Sequence, residues 1–113
     1  MNTDQLKATF QSLGWNIGVP LSKDTGVSWT AYKRITNAPD CQCNDKPPNV
    51  TVTPYNIVFD TNIFHSVEFQ LTGELPNGMW FKTEIYGIKY EDVITKLDEI
   101  VAILARAWIT ANI

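Results

Sequence analysis

Cys41 and Cys43, one residue apart and flanked by Asp40 and Asp45, and His65, the one histidine of the chain, are the side chains whose types suit a metal ion. Thiolate and imidazole are zinc ligands, but a structural zinc site usually draws on two closely spaced ligand pairs, and here there is one. The spacing therefore predicts free thiols on a loop, with no cofactor and with Cys41, Cys43 and His65 as the minor metal candidates. A Cys–His nucleophile needs its thiolate stabilised by positive surroundings, and Asp40 and Asp45 work against that. The chain has no G-x-S-x-G, no H-E-x-x-H and no glycine-rich phosphate loop, so the motifs that announce hydrolytic or phosphate chemistry are missing. Glu68 and Glu84 are a carboxylate pair suited to acid–base work if a cleft holds them. On alternating strands they read first as part of a solvated face.

Those two glutamates belong to the stretch around which the chain is organised, a hairpin from His65 to Ile88. Its first arm alternates strictly, with Val67, Phe69 and Leu71 on one side and Glu68, Gln70, Thr72 and Glu74 on the other, the pattern of a half-buried strand. Pro76-Asn77-Gly78 suits a type I turn closed by a left-handed residue, a three-residue loop that pairs Leu75 with Met79. Counting back sets Gly73 opposite Phe81, Leu71 opposite Thr83, Phe69 opposite Ile85 and Val67 opposite Gly87. A two-residue loop would set Leu71 against Lys82 and mix the faces, which a buried face disfavours. In the chosen register the polar side pairs Glu74 with Trp80, Thr72 with Lys82, Gln70 with Glu84 and Glu68 with Tyr86. Acids and large aromatic rings thus share one surface, a composition typical of protein interfaces. Two arrangements are open: that surface faces a partner, or the N-terminal helix or the 15–28 segment folds over Trp80 and Tyr86.

The remaining elements follow from period and punctuation. Thr3 reads as an N-cap, Leu6, Phe10 and Leu13 as one helical stripe, and Gly14 as the residue after the helix. Residues 16–28, with Gly18, Pro20 and Gly26, read as a loop or a weak edge hairpin. Val27–Ile35 and Val50–Phe59 have strand composition, and Pro54, which cannot donate a ladder hydrogen bond, points to an edge strand or a bulge. The loop 36–49 between them is rich in proline, cysteine, Asp and Asn. From Glu91 to Asn112 one long helix is expected, with Val93, Leu97, Ile100, Val101, Leu104 and Trp108 on its apolar stripe.

These elements predict a single α+β domain over residues 1–113: an N-terminal helix, an antiparallel meander of about four strands, and a long C-terminal helix packed on one sheet face. Its acidity is lopsided. Residues 1–64 hold five acids and five bases, residues 65–113 seven acids and four bases, which accounts for the net charge of −3. No basic run offers itself to phosphates, so direct nucleic-acid binding is not expected, and a basic protein partner suits the acidic half better. The first ten residues lack the basic start and apolar stretch of a signal peptide, and no apolar run approaches a membrane span, so a cytoplasmic protein without membrane contact is expected. The functional expectation is a small non-enzymatic interaction module, of inhibitor, immunity or phage or bacterial accessory type. Its partner-binding residues are Glu68, Gln70, Glu74, Trp80, Lys82, Glu84 and Tyr86, and homodimerisation through an edge strand or the margins of the last helix is a further expectation. The competing expectation is a small-molecule-binding domain or enzyme with a pocket between sheet and C-terminal helix, lined by Trp29, Phe69, Ile85 and Trp108.

Overall fold

The computed structural model describes residues 1–20, 22–35 and 47–111. Helix α1 (Thr3–Ser12) is capped by Asn2, one residue earlier than expected. Asn2 Oδ1 accepts from the Gln5 amide at 2.8 Å while Gln5 Oε1 accepts from the Asn2 amide at 3.0 Å, so two otherwise orphaned donors are satisfied reciprocally. Leu6 and Phe10 are buried, but the helix ends before Leu13, which is exposed. Trp15 takes the inward place instead, edge-on to Phe10 with ring centroids 5.3 Å apart.

Among the described residues five strands follow: β1 (Asn16–Gly18), β2 (Thr30–Arg34), β3 (Asn49–Phe59), β4 (Asn62–Glu74) and β5 (Trp80–Lys89). They form an antiparallel sheet in the order β1-β2-β3-β4-β5, a meander with one strand more than expected. The extra strand is β1, a short edge strand in the glycine- and proline-containing segment for which the sequence left a loop and a weak edge hairpin both open. The second difference concerns β3, which lies inside the sheet rather than at its edge. Its proline is tolerated because β2 pairs only with residues Asn49–Val52, so Pro54, opposite Val67, has a ladder on the β4 side alone.

The β4–β5 turn has the expected form. Gly78 takes φ of +87°, its amide donates to the Leu75 carbonyl at 2.9 Å, and the Leu75 amide donates to the Met79 carbonyl at 2.7 Å. Gly73 then faces Phe81, Leu71 faces Thr83 and Phe69 faces Ile85. Beyond that point the register departs from the expectation. Val67 faces Ile88, not Gly87, and the regular pairing of Glu68 with Tyr86 is interrupted. One extra residue of β5 is accommodated at Gly87, whose φ of +79° lets the strand bulge.

The C-terminal helix is divided into α2 (Tyr90–Val93) and α3 (Leu97–Ala111), with a turn between them. The Tyr90 hydroxyl donates to the Tyr55 carbonyl at 2.7 Å and ties α2 to the sheet, while Thr95 Oγ1 donates to the Asp92 carbonyl in the intervening turn. Val93, Leu97, Ile100, Leu104 and Trp108 are buried, as the stripe requires, and Val101 is half-buried. Both helical layers lie on one face. Phe10 of α1 sits 6.5 Å from Phe69, Trp108 of α3 sits 6.1 Å from Phe81, and a Cβ built on Gly73 would meet the Trp108 ring at 2.6 Å. Among the described residues no helix is long and apolar enough to cross a membrane.

Candidate functional site

The alternation that buries Val67, Phe69 and Leu71 under the helices turns their neighbours to the opposite face of the sheet. There one row runs across all five strands through Asn16, Tyr32, Thr51, Gln70 and Glu84. A second row runs through Arg34, Asn49, Thr72 and Lys82. Trp80, Lys82, Glu84 and Tyr86 are exposed on β5, while Glu68, Gln70 and Glu74 on β4 are half-buried. The structure therefore brings together on one face the seven residues singled out in the sequence. Trp80 and Tyr86 are each 75% exposed, so neither α1 nor the described part of residues 15–28 folds over them.

Tyr55 is the member of this face that sequence reasoning passed over, although it continues the outward series Thr51, Thr53. Its hydroxyl donates to Glu68 Oε2 at 2.8 Å. Burial, reinforced by this bond and by the charges of Glu68 and Glu84, pushes the Tyr55 phenol up to about 12. The Glu84 carboxyl is raised by a side-chain hydrogen bond with Glu68, then by partial desolvation and the Glu68 charge, against the lowering effect of Lys82. The two carboxylates share one sheet face, where the Glu68 charge disfavours the ionised form of Glu84. Neither lines the open groove of about 440 Å³ between β5 and α3, which is walled by Ile85, Gly87, Ile88 and Ile103 with Lys96 and Glu99 at its rim.

The competing pocket residues separate. Trp29, Phe69 and Trp108 are packed into the core, and of the four only Ile85 reaches the groove. Cys41 and Cys43, with most of the 36–49 loop, lie outside the described residues. His65 is exposed on β4 and meets the Tyr90 ring edge-on at 5.4 Å. Among the described residues no three His, Cys, Asp or Glu side chains are grouped to hold a metal. No family model, no curated protein and no solved structure matches this chain.

Proposed function

We propose that the chain is a small non-enzymatic interaction module of inhibitor or accessory type, acting in the cytosol, that engages a protein partner through the helix-free sheet face. The observation that carries this reading is the placement of Trp80 and Tyr86, two rigid rings three-quarters exposed on one strand with Lys82 and Glu84 between them. Large aromatic side chains are more valuable desolvated than wet, and an exposed cluster of them with a charged surround has the anatomy of an interface. Glu68, Gln70 and Glu74 supply a polar flank that orients a partner, and the two glutamates steer a basic one.

Affinity capture from the native cell extract tests the reading. The wild-type chain is expected to retain a partner that the Trp80→Ala, Tyr86→Ala double variant loses, with the melting temperature of the variant nearly unchanged. Equal capture by both chains, or no retained protein, overturns it.

A further inference from the structure

The edge of β5 carries a pattern that is its own complement, and this inference rests on the interaction reading above. In the β4–β5 ladder the hydrogen bond from the Leu75 amide to the Met79 carbonyl sets the phase. Residues 81, 83 and 85 turn their backbone groups toward β4, so the amides and carbonyls of Trp80, Lys82, Glu84 and Tyr86 point off the free edge. Among the described residues no backbone bond from another element reaches them. The other sheet edge, β1, is three residues long, whereas β5 runs for ten. A long unpaired edge is a template for another strand unless it is covered or blunted.

We propose that the occupant of this edge is a second copy of the chain, paired antiparallel about a two-fold axis at Thr83. Around that axis Lys82 lies opposite Glu84 of the second copy and Glu84 opposite its Lys82. Trp80 lies opposite Tyr86 and Tyr86 opposite Trp80. Opposite charges and aromatic rings directly across a ladder are the favourable cross-strand pairs. The backbone phase agrees, because all four of these residues offer outward amides and carbonyls while Thr83 meets Thr83 in a non-hydrogen-bonded pair. Slipping the axis to Lys82 sets lysine against lysine, and slipping it to Glu84 sets glutamate against glutamate. The charges that protect an ordinary edge here exclude its neighbouring registers and admit one.

The helix side agrees as well. Phe81 comes opposite Ile85, extending the apolar floor beneath the two α3 helices. Met79, which is 59% exposed and alternates with Trp80 onto the helix side, comes opposite Gly87 at the groove bounded by Ile88 and Ile103. The result is a closed symmetric pair with a continuous sheet, in which the exposed rings of both copies form one doubled surface.

Sedimentation of the full chain alone at micromolar concentration tests this. The wild type is expected at twice the chain mass. Lys82→Glu or Glu84→Lys alone is expected at the single-chain mass, and the two together, which restore opposite charges in the same register, at twice the chain mass again. In a Cys41→Ser, Cys43→Ser background, Thr83→Cys is expected to form a disulfide-linked dimer on mild oxidation, since non-hydrogen-bonded antiparallel partners lie about 4.5 Å apart between Cα atoms. A single-chain wild type, single reversals that keep the doubled mass, a double reversal that fails to recover it, or no Thr83→Cys link would each overturn the pairing. Mass is read without any partner present, so a monomeric chain that still captures a protein through Trp80 and Tyr86 sinks the self-pairing and leaves the interaction module standing.

Discussion

At the scale of single residues, the Tyr55–Glu68–Glu84 group gives the outer face a pH response of predictable sign. The Tyr55 phenol is held at about 12 against an ordinary 10.0, so the folded chain keeps its proton where the unfolded chain has lost it. The stability this supplies is complete below pH 10 and is lost as the pH rises through 12. Alkaline unfolding midpoints should therefore fall across that window, and Tyr55→Phe should flatten the part of the fall that Tyr90, also raised by burial, does not cause. Glu84 is raised too, so its contribution is complete below 4.5 and is lost as pH rises through its folded value. Glu84→Gln, measured at dilution, should remove the like-charge repulsion with Glu68 at neutral pH and make stability less dependent on pH in the window just above 4.5. On the opposite face Gly73 is fixed by contact: a Cβ would stand 2.6 Å from the Trp108 ring. Gly73→Val must displace an indole that is almost wholly buried, and should cost about 1–3 kcal/mol as overpacking, read from denaturant midpoints. A silent Gly73→Val would mean that the ring has another seat.

At the scale of elements, the strongest local rule is the turn between β4 and β5. Gly78 at φ +87° has nothing within 4 Å of a built Cβ, so Gly78→Ala meets no clash and its expected loss of about 1 kcal/mol is conformational. Chemical denaturation checks it. This turn made the register of the neighbouring strands legible in the sequence, because proline and glycine positions and the alternation of Val67, Phe69 and Leu71 all demand the same pairing. The limit of legibility comes at Gly87, where nothing in the alternation says whether a glycine continues a strand or bulges it. Pro54 is ambiguous for a related reason: its missing amide constrains only the side facing β2, and β2 stops short of it, so the strand as a whole need not lie at an edge. The helical stripe from Val93 to Trp108 was readable because six large side chains recur at one period, whereas the turn between α2 and α3 keeps enough helical hydrogen bonding, from the Lys96 amide to the Asp92 carbonyl, to leave that period undisturbed. Leu104, at the centre of the stripe and 1% exposed, should cost about 2–5 kcal/mol as alanine.

At the scale of the whole molecule, a sheet covered on one face has one place to bury its apolar side chains, and both helical layers must use it. The buried side chains form a single cluster running from Leu6 and Phe10 through Val52, Phe69 and Leu71 to Leu104 and Trp108. Seven outer-face positions could be named in advance because alternation assigns faces, but alternation leaves open whether α1 or the 15–28 segment folds over the outer face, so the exposure of Trp80 and Tyr86 required the packing itself. The same packing decides whether α1 is an appendage or a part of the core. Phe10 touches three rings from different parts of the chain, Trp15 at 5.3 Å, Trp29 at 6.4 Å and Phe69 at 6.5 Å, and is fully buried. Phe10→Ala should therefore cost about 3–5 kcal/mol, a large share of the ~5–15 kcal/mol by which domains are stable. That loss should lower the melting of the sheet along with that of α1, in one transition seen alike by far-UV circular dichroism and by fluorescence of the buried tryptophans. If Phe10→Ala melted α1 alone and left the sheet transition where it was, α1 would be a separable layer and the single core would have to be redrawn without it.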